Sequence, residues 1–322
     1  VYMKKVMIFY AAYGGGHLSA ARSIKENIEA NYPNVEIKLV DCMEYVNKVV
    51  NKVTTKAYSE MAKKAPYTWG KVYWNSQKGP LAQISTTSNK VLSIKLNTLL
   101  KDFQPDIIIS THPFGTQMCA YLKKLGKLDA KIATVMTDYA PHDQWLVFNH
   151  YVDYYFVSHD GMKKNLHEKG IPNEKIFATG IPLSNKFLLK YDKSQILESF
   201  GLSPERKTVL FFAGGEFGLG KNQTFKIFKT LVECPKNIQI VAIAGRNQKM
   251  KENFEDLINE LNKHDCVKIL EYTNKVPELM SISDLVVTKP GGLTTTESLA
   301  SRITYCCNKS YTWPRRRKCY LS

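Results

Sequence analysis

Near the N-terminus three glycines and a histidine, Gly14-Gly15-Gly16-His17, stand between a β-rich run and a helical stretch. A strand–glycine–helix turn lets backbone N–H groups approach a ligand, with the helix dipole behind them. The spacing is not G-x-G-x-x-G, so no nicotinamide or flavin cofactor is implied. An imidazole titrates near neutral pH, so His17 suits a general base for an attacking hydroxyl, and it equally suits a helix cap. Two further strand ends carry polar groups: Ser110-Thr111-His112-Pro113, and Thr137-Asp138 followed by His142 and Trp145. Asp138 and His142 fit either the binding or activation of a hydroxyl or the capping of the next turn; His112 reads as structural.

The second half repeats this logic with sharper spacing. A strand runs into Gly214-Gly215, another ends in Gly245-Arg246-Asn247, and a third leads through Lys289-Pro290-Gly291-Gly292-Leu293-Thr294-Thr295-Thr296-Glu297. Two glycines and three threonines opening a helix make a cradle for a diphosphate, with no metal required. Glu297 lies one to two turns into that helix, where a carboxylate can accept hydrogen bonds from a ribose.

Such turns need parallel strands to hold them. Strand candidates are Lys5–Ala11, Val35–Asp41, Asp106–Thr111, Lys131–Thr137, Tyr154–Ser158 and Ile176–Thr179, then Thr208–Ala213, Ile238–Ala244, Val267–Leu270 and Asp284–Thr288. Most are continuous apolar runs alternating with helical patterns, as in α/β sheets covered on both faces. The chain divides near residues 186–205, giving two doubly wound, Rossmann-like domains: 1–190 and 200–301.

The bulk properties agree with a globular protein of 322 residues, 44% hydrophobic and 23% charged. Seven cysteines without C-x-x-C spacing fit a reducing cytosol and argue against a metal framework. The net charge is +16; residues 302–322 supply six of the cations and no acid, leaving the rest near +10. No nucleic-acid motif accompanies this charge, so an anionic membrane surface is the favoured partner. Between Tyr45 and Lys78 aromatics and lysines intermingle, which suits a membrane interface, a packed core helix or, less well, nucleic-acid stacking.

Taken together, Gly14–His17, Thr137-Asp138 with His142 and Trp145, Tyr154–Asp160, Thr179-Gly180-Ile181-Pro182 and Asp284–Glu297 resemble the processive diacylglycerol glycosyltransferases and monogalactosyldiacylglycerol synthases of glycosyltransferase family 28. The resemblance spans residues 3–301. It implies a GT-B fold, two domains facing a cleft, and an inverting, cofactor-free and metal-free hexose transfer from UDP-glucose or UDP-galactose to diacylglycerol. The enzyme would be cytoplasmic and peripheral on the inner face of the membrane. On that pattern His17 or Asp138 is the base, and Gly14, Gly15, Gly16, His142 and Trp145 line the acceptor. Gly214, Gly215, Arg246, Lys289, Gly291, Gly292, Leu293, Thr294 and Glu297 hold the nucleotide sugar. The alternatives are an N-acetylglucosaminyl transferase acting on a polyprenyl-linked wall precursor, and an inactive fragment that only binds membranes.

After Ser301 the resemblance stops. A one-base shift near codon 301 accounts for the change: Trp313 then requires Gly, and Arg315, Arg316 and Arg317 allow three Glu. A consistent restoration of residues 302–319 reads GLPIVAINPIPGQEEENA, an apolar strand and turn. The expectation is therefore a non-native tail over 302–322 and a second sheet whose last strand is lost.

Overall fold

The computed structural model describes residues 3–12, 15–46, 80–213, 221–289 and 291–307, with backbone alone for 80–91, 221 and 307. The chain separates into two compact units, divided at Ser184/Asn185.

The first unit holds six parallel strands: β1 (Lys4–Tyr10), β2 (Val35–Asp41), β3 (Ile107–Ser110), β4 (Lys131–Val135), β5 (Tyr154–Val157) and β6 (Ile176–Ala178). Their order is β2-β1-β3-β4-β5-β6. Between them run α1 (Gly15–Asn31), α2 (Cys42–Val46), α3 (Pro80–Phe103), α4 (Pro113–Lys124) and α5 (Asp160–Glu168). Alternate residues of β1 serve opposite faces, as strand geometry requires. Met7 and Phe9 join one core with Ile108, Trp145 and Tyr155, while Val6 and Ile8 meet Ala21, Ile24 and Ile28 of α1. This two-sided burial is why the strand reads as an unbroken apolar run.

The second unit has five parallel strands: β7 (Lys207–Phe212), β8 (Ile238–Gly245), β9 (Val267–Glu271), β10 (Leu285–Thr288) and β11 (Thr304–Cys307), ordered β11-β10-β7-β8-β9. Its helices are α6 (Lys193–Ser199), α7 (Lys221–Val232), α8 (Gln248–Leu261), α9 (Val276–Ile282) and α10 (Gly292–Ala300). Residues 186–205, read from sequence as a boundary, belong with this unit: Phe187, Tyr191, Leu197 and Phe200 pack on a core that contains Ile196, Leu202 and Val286.

In each sheet the chain order reverses beside the first strand, at β1/β3 and at β7/β10. Open α/β sheets place ligands outside the carboxyl ends of the strands at such points. The first glycine turn and its counterpart after β10 both lie there.

The tail departs from expectation. The sheet does not end at β10, because Thr304–Cys307 pairs with it in parallel register, Val286 opposite Tyr305. Ile303 and Tyr305 pack against the core around Leu279 and Val286, so alternating apolar side chains suffice to recruit this segment. Residues beyond 307 lie outside the described ones. Among the described helices none is long and apolar enough to cross a membrane.

Candidate active site

In the first unit three strand ends converge on His17. Its Nδ1 lies 2.6 Å from the carbonyl oxygen of Thr111 and 3.0 Å from Oγ1 of Thr137. A carbonyl oxygen only accepts, so Nδ1 carries the proton, and in the neutral ring Nε2 is the basic nitrogen. Thr111 is itself held in place: its N–H donates to the Phe9 carbonyl at 2.9 Å and its hydroxyl to the His17 carbonyl at 2.8 Å. Below this, the buried Asp41 accepts from Ala12 N–H at 3.1 Å and from the N–H groups of Met43 and Glu44 at 3.0 Å. It thereby ties the entry to the glycine turn to the start of α2. Burial raises the Asp41 carboxyl above its ordinary range.

His112 has the structural part expected of it. Its Nδ1 accepts the N–H of Phe114 at 3.2 Å as the N-cap of α4, where Pro113 occupies the first turn. Burial, then the neighbouring His17 and His142, hold its pKa well below the usual imidazole value.

The loop after β4 brings Asp138 and His142 together, with Oδ2 and Nε2 4.0 Å apart. Gln117 of α4 fixes this loop, donating from Nε2 to the carbonyl and Oε1 of Gln144 at 2.8 and 2.9 Å. Trp145 is a correction. It was expected to line an acceptor, but it has no exposure and is packed in the first core. Its bulk anchors the loop, leaving His142, whose ring lies 5.8 Å away, as the more accessible member of the pair. Gly14 lies outside the described residues, as does the Lys-rich aromatic segment from residue 47 on. Gly15 and Gly16 form the first turn of α1, where a Cβ added to Gly15 would meet none of the described residues within 4 Å.

In the second unit the feature after β10 is the N-terminus of α10. Gly291 is its N-cap at φ −88°, with no side-chain cap and no acid in the first turn. None of the described residues lies within 4 Å of where its Cβ would sit. Neither backbone strain nor crowding demands glycine there, so the residue keeps open the approach to the helix's first N–H groups. Gly115 is the contrast, since its added Cβ would meet Ser110 Oγ at 2.5 Å and Phe9 Cβ at 3.0 Å.

The threonines divide in use. Thr296 donates to the Gly292 carbonyl at 2.7 Å and Ser298 to that of Thr294 at 2.8 Å, so those hydroxyls serve the helix. Thr295 buries its hydroxyl with no hydrogen-bond partner among the described residues, which leaves Leu293 and Thr294 as the half-buried residues of the first turn. Glu297 is half-buried further along the same helix, and burial pushes its carboxyl up to about 7. Arg246, at the end of β8, lies over the ring of Tyr272 at 5.1 Å, a partner the sequence reading missed. Lys289 is half-buried just before Gly291, and Gly214 and Gly215 lie outside the described residues.

Comparison with known proteins places these turns in context. A family model described as monogalactosyldiacylglycerol (MGDG) synthase matches residues 17–183. A second, UDP-N-acetylglucosamine 2-epimerase, matches residues 146–308. A processive diacylglycerol beta-glucosyltransferase of Staphylococcus epidermidis is 31% identical over 92% of this chain and 73% of its own length. The structure of Staphylococcus aureus MnaA with UDP covers 96% of this chain and 80% of its own, with a TM-score of 0.63 at 15% identity. MurG of Acinetobacter baumannii covers 99% and 82%, with a TM-score of 0.58 at 12% identity. The two structural likenesses show a shared fold, the two-unit GT-B type.

Proposed function

The chain belongs to the monogalactosyldiacylglycerol synthase family of glycosyltransferases, and from that premise we propose that it moves glucose from UDP-glucose to the free hydroxyl of diacylglycerol, with inversion. The staphylococcal relative is named as a glucosyltransferase, which favours glucose; UDP-galactose is the alternative donor. The diacylglycerol oxygen attacks the anomeric carbon, the bond from that carbon to the UDP oxygen breaks, and UDP leaves with the electron pair. The proton of the attacking hydroxyl passes to His17 Nε2. Asp138 and His142 bind the acceptor's oxygens beside it.

Departing UDP gains negative charge on its β-phosphate. The N–H groups of Gly292, Leu293 and Thr294 offer fixed dipoles for that charge, without a metal. Glu297 accepts from the ribose, and Arg246 and Lys289 supply the cations nearest the nucleotide. The basic balance of the chain supports action at the anionic inner face of the cytoplasmic membrane.

The observation that carries the base assignment is the 2.6 Å approach of His17 Nδ1 to the Thr111 carbonyl oxygen, which calls for a proton on Nδ1 and leaves Nε2 as the nitrogen that takes one. The test is transfer of radiolabelled hexose from UDP-glucose and UDP-galactose to diacylglycerol in anionic liposomes, for the wild type, His17→Gln and Asp138→Asn. Loss of about 10²-fold or more in His17→Gln, with a smaller loss in Asp138→Asn, supports the reading. The reverse order assigns the base to Asp138.

A further inference from the structure

The geometry around His17 points to a role for Thr137: we propose that its hydroxyl is a positioning group which, with the Thr111 carbonyl, grips Nδ1 of His17 and favours the charged ring formed during transfer. The inference rests on His17 being the base. It extends that reading to a residue whose neighbours in sequence draw the attention instead.

The two oxygens reach Nδ1 from different strand ends, Thr111 after β3 at 2.6 Å and Thr137 after β4 at 3.0 Å. Thr137 is buried, so its oxygen is not replaceable by bulk water. The other tautomer would set the lone pair of Nδ1 against the carbonyl lone pairs at 2.6 Å, which is repulsive. The N–H is therefore shared between the two acceptors. Both contacts strengthen when the ring gains charge, because hydrogen bonds from a cation exceed those from a neutral donor. A proton arriving at Nε2 is thus held by groups on the far side of the ring. Thr137 touches no reacting atom; it acts through His17.

The ring plane is fixed independently. His112 meets His17 at a centroid distance of 4.6 Å and an interplanar angle of 77°. Among the described residues the ionisable groups close by include His112 from the turn after β3, which senses both His17 and His142, and Asp138, 4.0 Å from His142 in the loop after β4. His112 is kept neutral by burial, so it adds no charge to oppose that of His17. The strand that leads to Thr137 is anchored three residues before it, where Thr134 of β4 meets Thr116 of α4 at 2.7 Å.

The test needs a readout that does not require turnover. In 15N-labelled protein, the wild-type chain should show His17 as the Nδ1–H tautomer. Thr137→Val should lower the His17 pKa by about 0.5–1 unit, and Thr137→Ser should keep the wild-type value. A transfer assay supplies the second arm: Thr137→Val lowers kcat by about 10-fold with KM little changed and moves the acidic limb of kcat/KM to lower pH. Thr137→Ser restores both. A wild-type His17 pKa in Thr137→Val, or a Thr137→Ser variant shifted as far as the valine, overturns the proposal. If the spectra follow expectation but His17→Gln transfers hexose normally, the pincer stands as structure and the base assignment fails.

Discussion

His112 sets its ring edge-on to that of His17, with centroids 4.6 Å apart, while its Nδ1 caps α4 by accepting the N–H of Phe114. One imidazole thus fixes a helix start and the plane of its neighbour's ring. Only the neutral form of His112 can do so, since a protonated Nδ1 cannot accept.

His112→Ala should cost about 1–2 kcal/mol through loss of the cap and of buried ring contacts, and His112→Asn should recover part of it. Denaturant midpoints at pH 7.5 measure this. The pH dependence has a definite sign. With the folded pKa depressed below 6.5, the unfolded chain binds the proton first, so the wild type loses stability as pH falls below about 6.5. That slope should be shallower in His112→Asn.

Gly291→Ala separates ligand room from folding need. Its backbone is ordinary and its Cβ space holds none of the described residues, so stability should change by less than about 1 kcal/mol. Binding of UDP should weaken by about 10-fold or more, because the methyl occupies the approach to the α10 N–H groups. Gly115→Ala should show the opposite pattern, a lowered melting temperature from its clash with Ser110 and Phe9. Calorimetric titration with UDP beside thermal unfolding gives both readings; equal UDP affinity in Gly291→Ala and wild type would discard the cradle.

Glu297 carries a pH signature of its own. Its folded pKa lies near 7, above the unfolded value of 4.5. Its contribution to stability is therefore whole below about 4.5 and is lost as pH rises through 7. Glu297→Gln should be more stable than wild type at pH 8 by on the order of 2 kcal/mol, with little difference at pH 5. Ribose hydroxyls donate to a carboxylate, so UDP affinity should rise between pH 6 and 8 in wild type and stay flat in the variant. A parallel rise in both would remove Glu297 from the site.

Tyr305 buries its hydroxyl without a hydrogen-bond partner among the described residues. Tyr305→Phe should stabilise the second unit by about 1 kcal/mol, read from its unfolding transition. The shifted reading frame proposed for residues 302–319 places Pro-Ile-Val-Ala at 304–307, the same positions as β11. Sequencing the DNA across codons 295–305 should reveal that second frame; an intact frame with no apolar alternative discards the proposal.

All ten strands expected from sequence occur, because each is an apolar run of β-formers between turn residues, and such runs have few other uses. The eleventh was missed because Thr304–Cys307 is short and sits in a basic stretch whose composition hides two inward-facing apolar positions, Ile303 and Tyr305. His17 was legible as a residue but its partners were not. Thr111 and Thr137 are 94 and 120 positions away, and nothing local to either marks it as a neighbour of His17. Trp145 misled because an aromatic beside His142 looks like a ligand wall, whereas its volume was recruited to the core. Thr296 misled because a helical threonine can turn its hydroxyl back to the preceding turn.

Those long separations also set when the site comes into being. His17 leaves the ribosome early, yet the carbonyl and hydroxyl that fix its ring arrive only after β3 has been laid beside β1 and β4 beside β3. Contacts of such range close late, since the intervening chain must lose its freedom first. A nascent or partly unfolded chain therefore carries the proposed base without the contacts that hold its ring, and those contacts form only with completion of the central sheet.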